Sequence, residues 1–114
     1  MPFKTPSKIW MGLFAAAGLW AQNPNAANGK RLFEVKACYE CHGWRGQGGL
    51  AGARLAQTKL NLQGFRNILR NPPPSNMPPY RATVLSDQEV ADLFAYIQSF
   101  PAPEAAEKIP LLKD

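Results

Sequence analysis

The chain has 114 residues, enough for one domain. Thirteen Lys and Arg against eight Asp and Glu give a net charge of +5. These cations are scattered along the sequence and form no basic helix face, which argues against a nucleic-acid-binding protein.

The first 21 residues have the pattern of a secretory signal. A short region with two lysines precedes an uncharged apolar run, residues 9–20, and a small residue follows it. We expect cleavage after Ala21, with Ala17 as the second candidate, which makes residues 1–21 a signal peptide and the protein periplasmic. An uncleaved membrane anchor is the alternative, but a membrane-spanning helix needs about 20 apolar residues. Cleavage leaves eleven Lys and Arg against eight Asp and Glu, a net charge of +3.

A first helix is predicted over residues 29–37, with Asn28 as its N-cap and its end running into Cys38. Its apolar side would consist of Leu32, Phe33 and Val35.

Cys38, Cys41 and His42 form the sequence Cys-x-x-Cys-His, which is read as covalent attachment of a c-type haem. Positions i and i+3 share one face of a helical turn, so both sulfurs can reach the two vinyl groups along one haem edge. The adjacent His42 then presents its imidazole to the iron as the proximal ligand. A thioredoxin-like pair, a zinc site and a disulfide are the alternatives. The first lacks a βαβ pattern, the second lacks a fourth Cys or His, and the third leaves the histidine unexplained.

Two more helices are predicted after a loop with glycines at 43, 46, 48, 49 and 52. Residues 62–70 form the shorter one. The last begins at the capping box of Ser86 and Glu89 and ends before Pro101. Its apolar residues follow helical spacing: Val90, Leu93, Phe94 and Ile97.

Met77 is the candidate distal iron ligand. It is the only methionine outside the signal, and no second histidine exists in the chain. The surrounding loop, residues 71–80, contains five prolines, which restrict the unfolded chain and lower the cost of ordering a weak iron–sulfur bond. Core packing of the methionine and a proline-rich partner motif are the alternatives.

The order of these features resembles the class I monohaem cytochromes c over residues 27–100. The resemblance rests on a Gly-x-x-x-Phe helix, Cys-x-x-Cys-His, a glycine loop, Met-Pro and a final aliphatic-aromatic helix. It implies an all-α cytochrome c fold, in which three or more helices and long loops wrap around one covalently attached haem c. Residues 22–100 are then the cytochrome domain, and residues 101–114 are a C-terminal tail that packs back, contacts a partner or is loose.

The resemblance also implies two contacts. The first and last helices cross at four matching positions, Gly29, Phe33, Leu93 and Tyr96. The family often has Gly-Pro-x-Leu after the haem motif, where the proline carbonyl accepts the free imidazole N–H. This chain has Gly-Ala-Arg-Leu at residues 52–55, so the carbonyl of Ala53 takes that role.

Several side chains near the ligands are candidates for contacts with a haem propionate. Trp44 and Tyr80 are possible hydrogen-bond donors, with packing as the alternative. Arg70 or Arg81 is a possible ionic partner, with a solvated surface position as the favoured alternative.

With His and Met both bound, the iron has no vacant site, so we expect single-electron transfer and no catalysis. The leading hypothesis is a diffusible carrier between redox enzymes, with a donor and an acceptor protein as partners. Any membrane association would come through a partner complex. The alternatives are a dedicated cytochrome subunit of a multi-subunit oxidoreductase and a ligand-binding or peroxidatic haem protein with an open site.

Overall fold

The computed structural model describes residues 23–112, so the predicted signal peptide lies outside the described residues. Four α-helices follow one another: α1 (Ala26–Val35), α2 (Cys38–His42), α3 (Leu62–Arg70) and α4 (Asp87–Gln98). Two short 3₁₀ helices, Ala106–Lys108 and Pro110–Leu112, lie in the tail. Residues 23–112 contain no strand, and the expected all-α fold is confirmed. None of the helices in this range has the length and apolar character needed to cross a membrane.

Helix α1 begins three residues earlier than predicted. Its N-cap is Asn25, in extended backbone, whose side-chain oxygen accepts a hydrogen bond from the Asn28 amide at 3.1 Å. The prediction that Asn28 is the cap was therefore wrong. Asn28 lies inside the helix, where its side-chain amide donates to Asp92 at 2.9 Å. The sequence does not choose between Asn25 and Asn28 as the cap, and only the tertiary contact of the Asn28 side chain with Asp92 distinguishes them.

The chain does not run as one helix into the cysteines. Helix α1 ends at Val35, and Ala37 has a φ of 58°, in the left-handed region that a residue with a Cβ rarely adopts. This conformation ends α1 and allows the separate helix α2 to begin at Cys38. Val35 was also predicted on the buried side but is 61% exposed, because the buried face of α1 follows the spacing of Gly29, Leu32 and Phe33 and residue 35 falls outside it.

Helices α1 and α4 cross in close contact, as the resemblance implied. A Cβ on Gly29 would lie 2.8 Å from the Cβ of Tyr96 and would overlap the backbone carbonyl of Asp92, so only glycine allows this approach. Beside it, the rings of Phe33 and Tyr96 meet edge to face with centroids 5.6 Å apart. Phe33 and Leu93 are almost fully buried at this crossing, which is the main packing contact between helices.

Helix α4 begins as predicted. The Ser86 side chain accepts from the Glu89 amide at 3.1 Å, and the Glu89 carboxylate accepts from the Ser86 amide at 3.0 Å. Its four predicted apolar residues are buried. Helix α3 has the predicted bounds, is capped by Asn61, and packs on α4 through Phe65 and Phe94, whose ring centroids are 5.2 Å apart.

Asp92 is a buried carboxylate of α4 that holds the N-terminus of α1. It accepts from the Asn25 amide at 2.7 Å, from the Asn28 side chain at 2.9 Å and from the Gln88 side chain at 3.1 Å. Burial by itself would raise the pKa of Asp92, but these hydrogen bonds to the charged form outweigh it and lower the pKa below its usual value. The ionised carboxylate therefore stabilises the folded state.

Asp92→Asn should lower the free energy of unfolding at neutral pH by roughly 2 kcal/mol, since hydrogen bonds to charged groups contribute about 1.5–3 kcal/mol each. The side-chain NH₂ of an asparagine at position 92 would face the Asn28 side-chain NH₂, and two donors cannot bond to each other. The Asn28 side-chain oxygen cannot replace the lost acceptor, because it already accepts from Arg31. Because the folded pKa is depressed, the wild-type advantage is complete above the unfolded pKa of about 3.9 and disappears as the pH falls through the folded pKa.

Denaturant unfolding of the haem-containing protein between pH 3 and 7 measures this difference. Glu34→Gln, at an exposed carboxylate on α1, is the control and should change stability little at any pH. An equal deficit for Asp92→Asn across the whole pH range would contradict the linkage.

Candidate haem site

The cysteines and the histidine of the motif lie on α2 with the spacing predicted. Cys38, Cys41 and His42 all line one cavity, and the two thiols are free. Burial is the largest influence on Cys38 and raises the pKa of its thiol. A thioredoxin-like nucleophile needs the opposite shift. The residues therefore fit attachment of a group in the cavity better than thiol–disulfide exchange.

The imidazole of His42 is oriented by the backbone carbonyl of Ala53, which lies 2.6 Å from Nδ1. A carbonyl can only accept a hydrogen bond, so Nδ1 carries the proton and Nε2 keeps its lone pair for a metal. This contact confirms the one implied for Ala53. A Cβ on Gly52 would lie 2.7 Å from the Cys41 carbonyl oxygen and 3.0 Å from His42 Nδ1. The carbonyl reaches the ring because residue 52 has no side chain.

Met77 reaches the same cavity from a different part of the chain. Its side chain is partly buried against the core and lines the cavity, together with Pro73 and Pro78 of its own loop. Its amide donates to the Ser75 hydroxyl at 3.2 Å. The structure therefore brings together all four residues that the sequence singled out: Cys38, Cys41, His42 and Met77.

The cavity has a volume of about 380 Å³, within the usual range of ligand pockets. Helices α3 and α4 and the segment between them supply its apolar wall: Phe65, Leu69, Leu85, Leu93 and Ile97. The cations Lys36 and Arg54 also line it, and none of the described lining residues carries a carboxylate. Apolar walls with cations and no anion suit a flat hydrophobic group that carries carboxylates.

Of the residues proposed for propionate contacts, Tyr80 lies at the cavity, and Trp44 and Arg70 do not. Trp44 does not line the cavity; it stacks on Tyr39 with ring centroids 3.7 Å apart. Tyr80 does line it, and burial raises the pKa of its phenol, so it stays protonated as a donor. Arg70 is neither solvated nor directed to the cavity, because its guanidinium bonds to other parts of the protein. Arg54 was not a candidate for a propionate contact, although it follows Ala53 directly, because only the folded chain shows that it lines the cavity.

Comparison with known proteins assigns the chain to a family. The family model described as cytochrome c oxidase, cbb3-type, subunit III matches residues 24–97. Since the match spans more than half of the sequence, the chain belongs to this family of c-type cytochromes.

Cytochrome c4 from Thiocapsa roseopersicina is 38% identical to the chain over 72 residues. The alignment covers 56% of this chain and 38% of the cytochrome c4, so the chain spans well under two thirds of that relative. No solved structure gives a significant match.

Membership of this family implies a covalently bound haem c. The donor set of the cavity fits that group: two thiols three residues apart, an adjacent histidine with a free Nε2, a thioether from another loop, and apolar walls.

Proposed function

We propose that this chain is an exported, periplasmic carrier of single electrons with one haem c. Cys38 and Cys41 form the thioether bonds, His42 is the proximal iron ligand and Met77 is the distal ligand. The observation that carries the proposal is that all four side chains line one cavity. His42 is also the only histidine, and Met77 the only methionine beyond residues 1–21.

Haem c, when bound, supplies a one-electron couple between Fe(II) and Fe(III). The chain sets its reduction potential through the two axial side chains, and Met/His ligation raises that potential. The apolar wall excludes water from the cavity, which favours the less charged reduced state. His42 and Met77 would both hold the iron of the bound haem, which would leave no position for a substrate.

Met77→Ala tests the ligand assignment. The oxidised wild-type protein should show the Fe–S(Met) charge-transfer band, and the variant should lose it. The reduction potential should fall by on the order of 100 mV or more, within the span of about 0.8 V that axial ligands control. Optical spectra and a redox titration measure both effects.

Ile68→Ala is the matched control, because Ile68 lines the same cavity but has no atom that can ligate iron. It should keep the band. A band that persists in Met77→Ala would show that another residue is the ligand, and a band missing from the wild type would favour an open-site haem protein.

Gly52→Ala should raise the reduction potential. The added Cβ displaces residues 52–53 and weakens the bond from His42 Nδ1 to Ala53. Without that acceptor the imidazole is less basic and stabilises Fe(III) less. A hydrogen bond contributes about 0.5–1.5 kcal/mol net, which sets an upper limit of about 60 mV for one electron.

Redox titration gives the measurement for Gly52→Ala. Gly49→Ala is its control, since a Cβ there meets no atom within 4 Å. A potential that is lower than, or equal to, the Gly49→Ala value would show that the Ala53 contact does not tune the site.

A dedicated subunit of an oxidoreductase is the second candidate function. Two observations favour it: the description of the matched family, and the exposed tail, in which Leu111 is 90% and Leu112 63% exposed. Gel filtration of native extract distinguishes the two functions. A carrier elutes alone, and a variant ending at Phe100 behaves the same. Stable elution with an enzyme, lost in the truncated variant, would establish the subunit role.

A further inference from the structure

The loop that carries Met77 has few bonds of its own. Five of the ten residues 71–80 are prolines, which have no amide hydrogen to donate. Most of the loop is exposed. Its backbone is joined to helix α3 at both ends, through the Asn71 amide to Asn67 at 2.9 Å and the Tyr80 amide to Leu69 at 2.7 Å. Asn71 directly continues α3, so the position of the loop depends on how its other end, at Tyr80, is held.

Arg70 makes most of the side-chain bonds at that end. Its Nη1 donates to the backbone carbonyl of Tyr80 at 2.9 Å and to that of Leu85 at 2.7 Å. Its Nη2 donates to Asp87 at 2.8 Å, and the arginine side chain is only 18% exposed. One guanidinium thus joins the end of α3, the end of the Met77 loop and the start of α4.

The bonds of Arg70 close the loop at its base. Arg70 immediately precedes the loop and Tyr80 is its last residue, so the bond between them fixes the distance that residues 71–79 must span. Tyr80 and Leu85, whose carbonyls Arg70 holds, both line the cavity that Met77 enters. The planar fork of arginine suits three fixed acceptors, whereas a lysine ammonium is a point charge on a flexible stem.

We propose that Arg70 is a positioning residue for the distal ligand: it holds the loop so that the Met77 sulfur stays at the iron. This inference rests on the proposed ligation by Met77. Without the Arg70 bonds, the loop populates conformations in which the sulfur is away from the iron. The apparent affinity of an added ligand rises in proportion to that population.

Imidazole is the probe. Titration of the oxidised, haem-containing protein with imidazole, followed by loss of the Fe–S(Met) band, measures its apparent dissociation constant. For Arg70→Gln we expect this constant to fall about tenfold, equivalent to 1.4 kcal/mol. Arg70→Lys keeps the charge but not the fork and should give most of the same effect. Hydrogen exchange at the Tyr80 amide should also become faster in both variants.

Asp92→Asn is the control for general loss of stability, because it weakens the α1–α4 contact without touching the loop. It should lower the melting temperature without changing imidazole affinity. If Arg70→Gln does not fold, the imidazole dissociation constant of Arg70→Lys tests the inference alone. If the Arg70 variants bind imidazole with the same affinity as Asp92→Asn, the inference about Arg70 is overturned, and the assignment of Met77 as a ligand still stands. Absence of the band from the wild type instead overturns the ligand assignment and the inference with it.

Discussion

Helices α1 and α4 approach so closely at Gly29 that no side chain fits between them. This contact sets the rest of the arrangement, because only two residues separate the end of α1 from Cys38, where the haem motif begins, and α4 supplies Leu93 and Ile97 to the cavity wall. Asp92 strengthens it with a charged group that accepts bonds from the first residues of α1. The crossing of α1 and α4 therefore fixes the position of the haem motif relative to the cavity wall.

The site itself is built from short segments that are held by hydrogen bonds more than by helix packing. Ala37, in the left-handed region, separates α1 from α2 and lets the cysteines turn to the cavity. The Ala53 carbonyl orients His42. The loop of Met77 is tied at its base to α3. In a domain of this size the apolar core is small. The covalently bound haem and these hydrogen bonds together therefore stabilise the loops that the packing of the helices does not hold.

Sequence patterns predicted some elements well because their causes are local. The capping box of Ser86 and Glu89 and the bounds of α3 depend on neighbouring residues, and both are confirmed. The predicted start of α1 was wrong because Asn25 and Asn28 are equally suitable caps from the sequence alone. In the folded chain the Asn28 side chain bonds to Asp92, and Asn25 caps the helix. The role of Arg70 was missed for the same kind of reason. Its acceptors lie 10, 15 and 17 residues away and follow no periodic pattern.

The sequence by itself narrowed the candidate haem and iron ligands: it has two cysteines three apart, one histidine beside them, and one methionine beyond residues 1–21. It also predicted an all-α domain, since helical spacing and capping are local properties. Only the tertiary structure decided which carbonyl faces His42, which cations line the cavity and which residue secures the Met77 loop. Those contacts join distant parts of the chain, and their partners become neighbours only after the helices have packed.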